Sequence, residues 1–259
     1  MGILTEIRTV DFRVQLARLR TALIDVAFPK ICAGCGSRGS WLCTYCEGTV
    51  PALAEPKCDK CGMPKLQGFG CWCRNMNPSW SQSRSAFPYS GWAAGSVKRL
   101  KYQDEFDRAN HMASLMAPLI GEMGRFDALV PVPLHRSRLD ERGFNQSELL
   151  ALAISRLSEI PVQPMLVKTL KTPQQASLSR DDRKTNLNGA FAIADGWVPT
   201  SGEQYLLIDD VKTSGATLSE CAMTLVVAGS APVSSLTFAM DYQPAELAAL
   251  MSQRGVGKT

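Results

Sequence analysis

The residues of this chain best placed to do chemistry run from Leu206 to Leu218: Leu-Leu-Ile-Asp-Asp-Val-Lys-Thr-Ser-Gly-Ala-Thr-Leu. An apolar run, read as a strand over 204–208, delivers two adjacent acids, Asp209 and Asp210. A short turn follows, Lys212-Thr213-Ser214-Gly215-Ala216-Thr217, and a helical pattern covers 217–228. Main-chain amides in such a turn, together with a helix N-terminus, form an anion site suited to a phosphate. Gly215 permits close backbone approach. Thr213, Ser214 and Thr217 offer hydroxyl donors, and the paired acids can accept hydrogen bonds from vicinal sugar hydroxyls. Phosphate plus diol describes a ribose 5-phosphate group. The segment is neither G-x-x-x-x-G-K-[ST] nor G-x-G-x-x-G, so the P-loop and the dinucleotide fingerprint are excluded.

A second kind of chemistry lies upstream. Eight of the nine cysteines fall in pairs, Cys32/Cys35, Cys43/Cys46, Cys58/Cys61 and Cys71/Cys73. Three pairs are C-x-x-C, and glycine follows Cys35 and Cys61, as in a zinc knuckle whose amides point at thiolates. The simplest pairing gives one zinc to Cys32, Cys35, Cys43 and Cys46 and another to Cys58, Cys61, Cys71 and Cys73; interleaved pairing is the alternative, and one or two ions satisfy the pattern. Disulfides and a redox pair compete, but four consecutive pairs favour metal. A four-cysteine site leaves no open position for water, which makes the zinc structural. Cys221, inside a helical pattern, reads as a core thiol.

These groups need elements to hold them. Residues 3–28 repeat apolar positions at helical spacing, Ile3, Ile7, Val10, Val14, Leu16, Leu19, Leu23 and Val26, and predict an N-terminal amphipathic helix within 1–29. Residues 30–78 are rich in Cys, Gly and Pro and too poor in apolar runs to build an ordinary core. From 79 to 242 short strand-like runs alternate with helical ones: strand at 128–132, helix at 148–157, strand at 204–208, helix at 217–228, strand at 234–240. That alternation predicts an α/β fold, a mostly parallel sheet flanked by helices. The tail, 243–259, is expected to fray.

Composition sets bounds. With 259 residues, 45% of them hydrophobic and 20% charged, the chain is an ordinary folded one with room for a large domain and a small one. No apolar run reaches the ~20 residues of a membrane span. Glu6, Arg8, Asp11, Arg13, Arg18, Arg20 and Asp25 interrupt any signal-peptide core, which places the chain in the cytoplasm. The formal net charge of +4 does not argue for nucleic acid, because each four-thiolate zinc site carries about −2. In and just beyond 30–78, Trp41, Trp72, Trp80, Arg38, Lys57, Lys60 and Lys65 offer stacking and phosphate contacts to single-stranded nucleic acid, or else the aromatics are the module's core.

The Asp209–Thr217 segment resembles the motif with which type I phosphoribosyltransferases bind 5-phosphoribosyl 1-diphosphate (PRPP). Pro131-Val132-Pro133-Leu134 with Arg138 and Arg142-Gly143-Phe144-Asn145-Gln146 resembles the ComF family of competence-associated proteins. So do Tyr89 and Gly91, Leu100-Lys101-Tyr102, the stretch holding Gln175, Leu178, Arg183, Asn186 and Gly189-Ala190-Phe191, and Phe28-Pro29 ahead of the paired cysteines. The resemblance implies a phosphoribosyltransferase-like domain behind a double zinc ribbon. It implies that Asp209 and Asp210 contact ribose hydroxyls and that 212–217 hold the 5-phosphate. It makes the loop of His135, Arg136, Arg138 and Arg142 the diphosphate loop. Residues 171–188 become a mobile hood in which Gln175, Arg180, Arg183 and Lys184 close on the diphosphate. Mg²⁺ is expected to arrive with PRPP, most of its ligands being substrate and water oxygens. The family also implies a role in DNA uptake, with single-stranded DNA and the uptake machinery as partners. The expected activity is pentosyl transfer to an unknown acceptor; non-catalytic DNA handling and PRPP sensing are the alternatives. One departure stands out: purine-base transferases commonly carry an acid where this chain has Thr213, which argues against plain purine salvage.

Overall fold

The computed structural model describes residues 29–65, 71, 73, 78–170 and 189–241. The expected N-terminal helix, apart from Pro29, the C-terminal tail, the hood residues Gln175, Arg180, Arg183 and Lys184, and Trp72 lie outside them.

The elements in chain order are α1 (Thr44–Glu47), β1 (Ser83–Pro88), α2 (Gly91–Tyr102), α3 (Arg108–Met123), β2 (Ala128–Pro131), α4 (Arg136–Arg142), α5 (Gln146–Ser158), β3 (Leu166–Lys168), β4 (Phe191–Ile193), β5 (Tyr205–Lys212), α6 (Ala216–Val227) and β6 (Ser234–Met240). Four strands form one sheet in the order β1-β6-β5-β2, every pair parallel. Strands β3 and β4 make a separate antiparallel pair. This is the parallel, helix-flanked sheet that the alternation of patterns predicts.

Parallel strands covered on both faces read as continuous apolar runs, and β6 is buried at every position. Leu206, Ile208, Leu236 and Phe238 pack on one face with Trp92, Leu100, Met112, Met116, Leu150 and Ile154 of α2, α3 and α5. Tyr205, Leu207, Ala128 and Val130 pack on the other with Leu218, Cys221 and Leu225 of α6. Cys221 is the core thiol its helix predicts. Among the described residues no helix is long and apolar enough to cross a membrane.

The cysteine-rich segment is built into this body. Cys32 and Cys46 belong to the same core cluster as Trp92 and Leu236. Arg108, fully buried, donates to the Ile31 carbonyl at 2.6 Å and pairs with Glu105. Trp92 Nε1 donates to the Trp41 carbonyl at 2.8 Å.

Candidate functional site

The ladder between β5 and β6 continues past the expected end of the strand, pairing Asp209 with Thr237 and Lys212 with Met240. Both acids therefore sit on rigid strand. The strand stops at Lys212, and Gly215, at φ +79°, caps α6. Ser214 Oγ accepts from the Ala216 amide at 3.3 Å and tightens the turn. Asp209, Asp210 and the 213–217 turn thus stand together as the sequence predicts.

Each carboxylate is held from α5. Asn145 caps that helix by accepting from the Ser147 amide at 3.1 Å, while its Nδ2 donates to the Val132 carbonyl beyond β2 at 3.0 Å. The cap sets the next two side chains against the acids: Ser147 Oγ donates to Asp209 at 2.7 Å and Gln146 Nε2 to Asp210 at 3.1 Å. Lys101, from the last turn of α2, forms an ion pair of 2.5 Å with Asp210. Electrostatics separates the two acids. Burial, and next the charge on Asp210, push Asp209 up to about 7 against the Ser147 hydrogen bond. Burial acts on Asp210 too, but Lys101, with help from Gln146, outweighs it and holds that carboxyl below its ordinary value. Lys101 is raised in turn, Asp210 overcoming the cost of burial.

Arg138 and Arg142 line a cavity of about 250 Å³ with Lys101, Tyr102, Asp104, Glu141 and Phe144. Arg142 donates to Gln146 Oε1 at 2.5 Å and stands over the Tyr102 ring at 5.4 Å. The wall carries three cations and two acids, with Lys101 already paired to Asp210. The predicted diphosphate loop is in fact mostly helix: His135 caps α4, its Nδ1 accepting from the Ser137 amide at 3.2 Å. Its ring is thereby committed to the fold, and Arg136 is absent from the cavity wall.

Two expectations are corrected. Lys212 does not face the phosphate turn. Its side chain is buried, and Nζ donates to the Cys61 carbonyl at 2.5 Å and to Ser83 Oγ at 2.9 Å. It is the last residue of a strand rather than the first of a loop, and the pleat aims it at the cysteine module. Gly215 is needed for close approach, but by Trp80: a Cβ there would lie 2.4 Å from the indole ring. Trp80 is buried, which takes it out of any nucleic-acid surface, and half-buried Trp41 has one face against the Arg108 guanidinium at 4.4 Å. Lys101, Asn145, Gln146 and Ser147 are site residues to which sequence reasoning assigned no part. For Lys101, Asn145 and Gln146 the signal was their presence inside the ComF-like motifs; Ser147 lies one residue beyond them.

The cysteines form two groups in sequential order, Cys32, Cys35, Cys43, Cys46 and Cys58, Cys61, Cys71, Cys73, with all four sulfurs of each within 4.8 Å of one another. Sulfur separations of 3.5 Å (Cys35–Cys43), 3.7 Å (Cys58–Cys73) and 3.2 Å (Cys61–Cys71) approach the ~3.8 Å edge of a tetrahedron with Zn–S of about 2.3 Å. Gly36 and Gly62, at φ +79° and +67°, make the two knuckles. The donor sets fit closed, structural zinc.

The family model for a double zinc ribbon domain matches residues 23–76. Competence protein F of Haemophilus influenzae is 32% identical over 194 residues, covering 71% of this chain and 83% of its own length. The chain belongs to the ComF family. The DNA utilization protein YhgH of Escherichia coli, another ComF-like relative, is 29% identical over 75% of this chain and 88% of its own. Among solved structures, an adenine phosphoribosyltransferase covers 62% of this chain and 79% of its own at 13% identity, with a TM-score of 0.36. Two of the residues that carried the ComF resemblance, Lys101 and Gln146, meet at Asp210.

Proposed function

We propose that the α/β unit binds PRPP with Mg²⁺ and transfers ribose 5-phosphate to an acceptor, releasing diphosphate, in a process that handles DNA. The observation that carries this reading is the juxtaposition of an acid pair on rigid strand, an amide-rich turn at a helix start, and a cavity walled by Lys101, Arg138 and Arg142. The turn receives the 5-phosphate, Asp209 and Asp210 receive the ribose diol, and the three cations receive the diphosphate. Mg²⁺ supplies further charge neutralisation to the leaving group. The acceptor's lone pair forms a bond to the anomeric carbon as the bond from that carbon to the diphosphate oxygen breaks; the electron pair leaves with diphosphate and the acceptor's proton goes to water. Lys101 and Arg142 stabilise the growing negative charge. Thr213, which cannot move a proton at neutral pH, points to an acceptor that needs no acid or base from the turn, and is the one feature that favours PRPP sensing as a second reading.

The names of the relatives, competence protein and DNA utilization protein, support the DNA setting; the proposal takes single-stranded DNA and the uptake machinery as partners and the cytoplasm as the place. Calorimetry of the full chain with PRPP and Mg²⁺ tests the reading. Binding should weaken by at least about tenfold in Asp209→Ala and Asp210→Asn, since each loses charge-assisted hydrogen bonds. Diphosphate release in the presence of bases, amines or oligonucleotides then separates transfer from sensing. A wild-type protein that takes up no PRPP ends the proposal.

A further inference from the structure

The two cysteine clusters have the same ligand chemistry and different surroundings: the buried cation beside the first, Arg108, is paired with Glu105, whereas the one beside the second is not paired with a carboxylate among the described residues. Lys212 is 4% exposed. Among the described residues it has no carboxylate partner; its ammonium is held by a carbonyl of the cluster, that of Cys61, and by the Ser83 hydroxyl. A buried cation without a countercharge is costly, and the negative charge at hand is that of the thiolates of Cys58, Cys61, Cys71 and Cys73, about −2 when they share a zinc. The residue after Lys212 opens the phosphate turn. On the other side, Trp80 lies across Gly215. Cys61, Cys73, Trp80, Lys212, Thr213 and Ser214, with Met63 and Pro78, wall a single cavity of about 10 Å³, room for one water. Sulfur ligands and phosphate turn thus share the wall of one small space.

We propose that the second cysteine cluster is the floor of the phosphate turn, and that Lys212 is the positioning residue that ties the turn's geometry to zinc at that cluster. With zinc in place, the tetrathiolate charge anchors Lys212 away from the turn and Trp80 rests on Gly215. With the cluster emptied or its thiols blocked, Lys212 loses its countercharge and the turn loses its floor, so that phosphate binding falls. The functional half of this inference rests on the PRPP reading above; the structural half does not.

The test uses the full-length zinc-loaded chain and three measurements: zinc released against rising chelator, with alkylation identifying which cysteines are freed; amide hydrogen exchange of the 209–218 segment; and calorimetry with PRPP and Mg²⁺. In the wild type, emptying the second cluster should speed exchange at 213–217 while 92–100, beside the first cluster, stays protected. In Lys212→Met the second cluster should release zinc at about 10–100-fold less chelator, the range for loss of an outer-sphere partner of a metal site, and exchange of the turn should rise even before release. Lys212→Arg, which keeps the charge, should stay near wild type on both measures. Zinc release and turn exchange in Lys212→Met equal to those of the wild type would overturn the proposal. Should Lys212→Met not fold, Ser83→Ala should shift both readouts the same way by less, and no shift there, with no effect of chelation on the wild-type turn, overturns it equally. A wild type that ignores PRPP while zinc loss still loosens the turn sinks the assigned function and leaves the coupling standing; PRPP binding without the coupling does the reverse.

Discussion

The two four-cysteine clusters share a ligand set and sit in different surroundings. The first joins the main core through two of its four cysteines, while Cys35 is exposed. Cys32 and Cys46 pack with Trp92, and Arg108 and Trp92 reach out of α3 and α2 to satisfy the Ile31 and Trp41 carbonyls. The second packs with Leu53, Met63 and Met240 in a small cluster of its own beside the phosphate turn. Ligand type says only that both are structural. What each supports is decided by the groups beyond the sulfurs, which is where a metal site's contribution to the rest of a protein lies.

The sharpest way to break the comparison is to remove one buried ligand from each cluster. In zinc-finger peptides a structural zinc contributes about 10–16 kcal/mol of folding free energy, which matches or exceeds the roughly 5–15 kcal/mol that keeps a domain folded. Cys46→Ser should therefore abolish the cooperative thermal transition of the whole chain. Cys73→Ser should lower zinc content and loosen the phosphate turn while the main transition survives. Equal losses of melting temperature in the two variants would erase the distinction.

A smaller effect probes the packing of the first cluster. Gly95 lies inside α2, where replacing glycine by alanine ordinarily stabilises a helix by about 0.5–1 kcal/mol. Here a Cβ would meet the Ala33 carbonyl at 2.3 Å, backbone that cannot swing aside. Gly95→Ala should instead cost about 1–3 kcal/mol, the price of overpacking, read as a lower denaturation midpoint at unchanged slope. A stabilised variant would show that the first knuckle is not pressed on α2.

A pH-dependent effect lies in the acid pair. Asp209 keeps its proton to about pH 7 in the folded chain, against about 3.9 in an unfolded one. The folded state then binds more protons between those values, so stability falls as pH rises through that window and levels off above it. Asp209→Asn, which has no proton to lose, should gain on the wild type from pH 4 to 7 in parallel melting curves. A gap that does not change with pH means that Asp209 titrates normally.

The sequence by itself determined the chemistry and the broad plan. Paired cysteines at knuckle spacing, acids at the end of an apolar run, and a small-residue turn before a helical pattern are all local, and local spacing survives folding because strand and helix geometry are fixed by the backbone. The assignment of Lys212 failed for a reason of the same kind. The ladder to β6 runs on to Met240, and whether a strand ends at residue 208 or 212 depends on a partner outside the segment. His135 and Arg136 were read as loop because the α4 pattern is too short to announce itself. Tertiary structure alone decided that Lys101 lies against Asp210, that Gln146 and Ser147 grip the acids, that Trp80 covers Gly215, and that one cysteine cluster borders the main core while the other borders the 213–217 turn. Each of these is a meeting of residues far apart in the chain, and such meetings are set by the packing of whole elements, which no local spacing records.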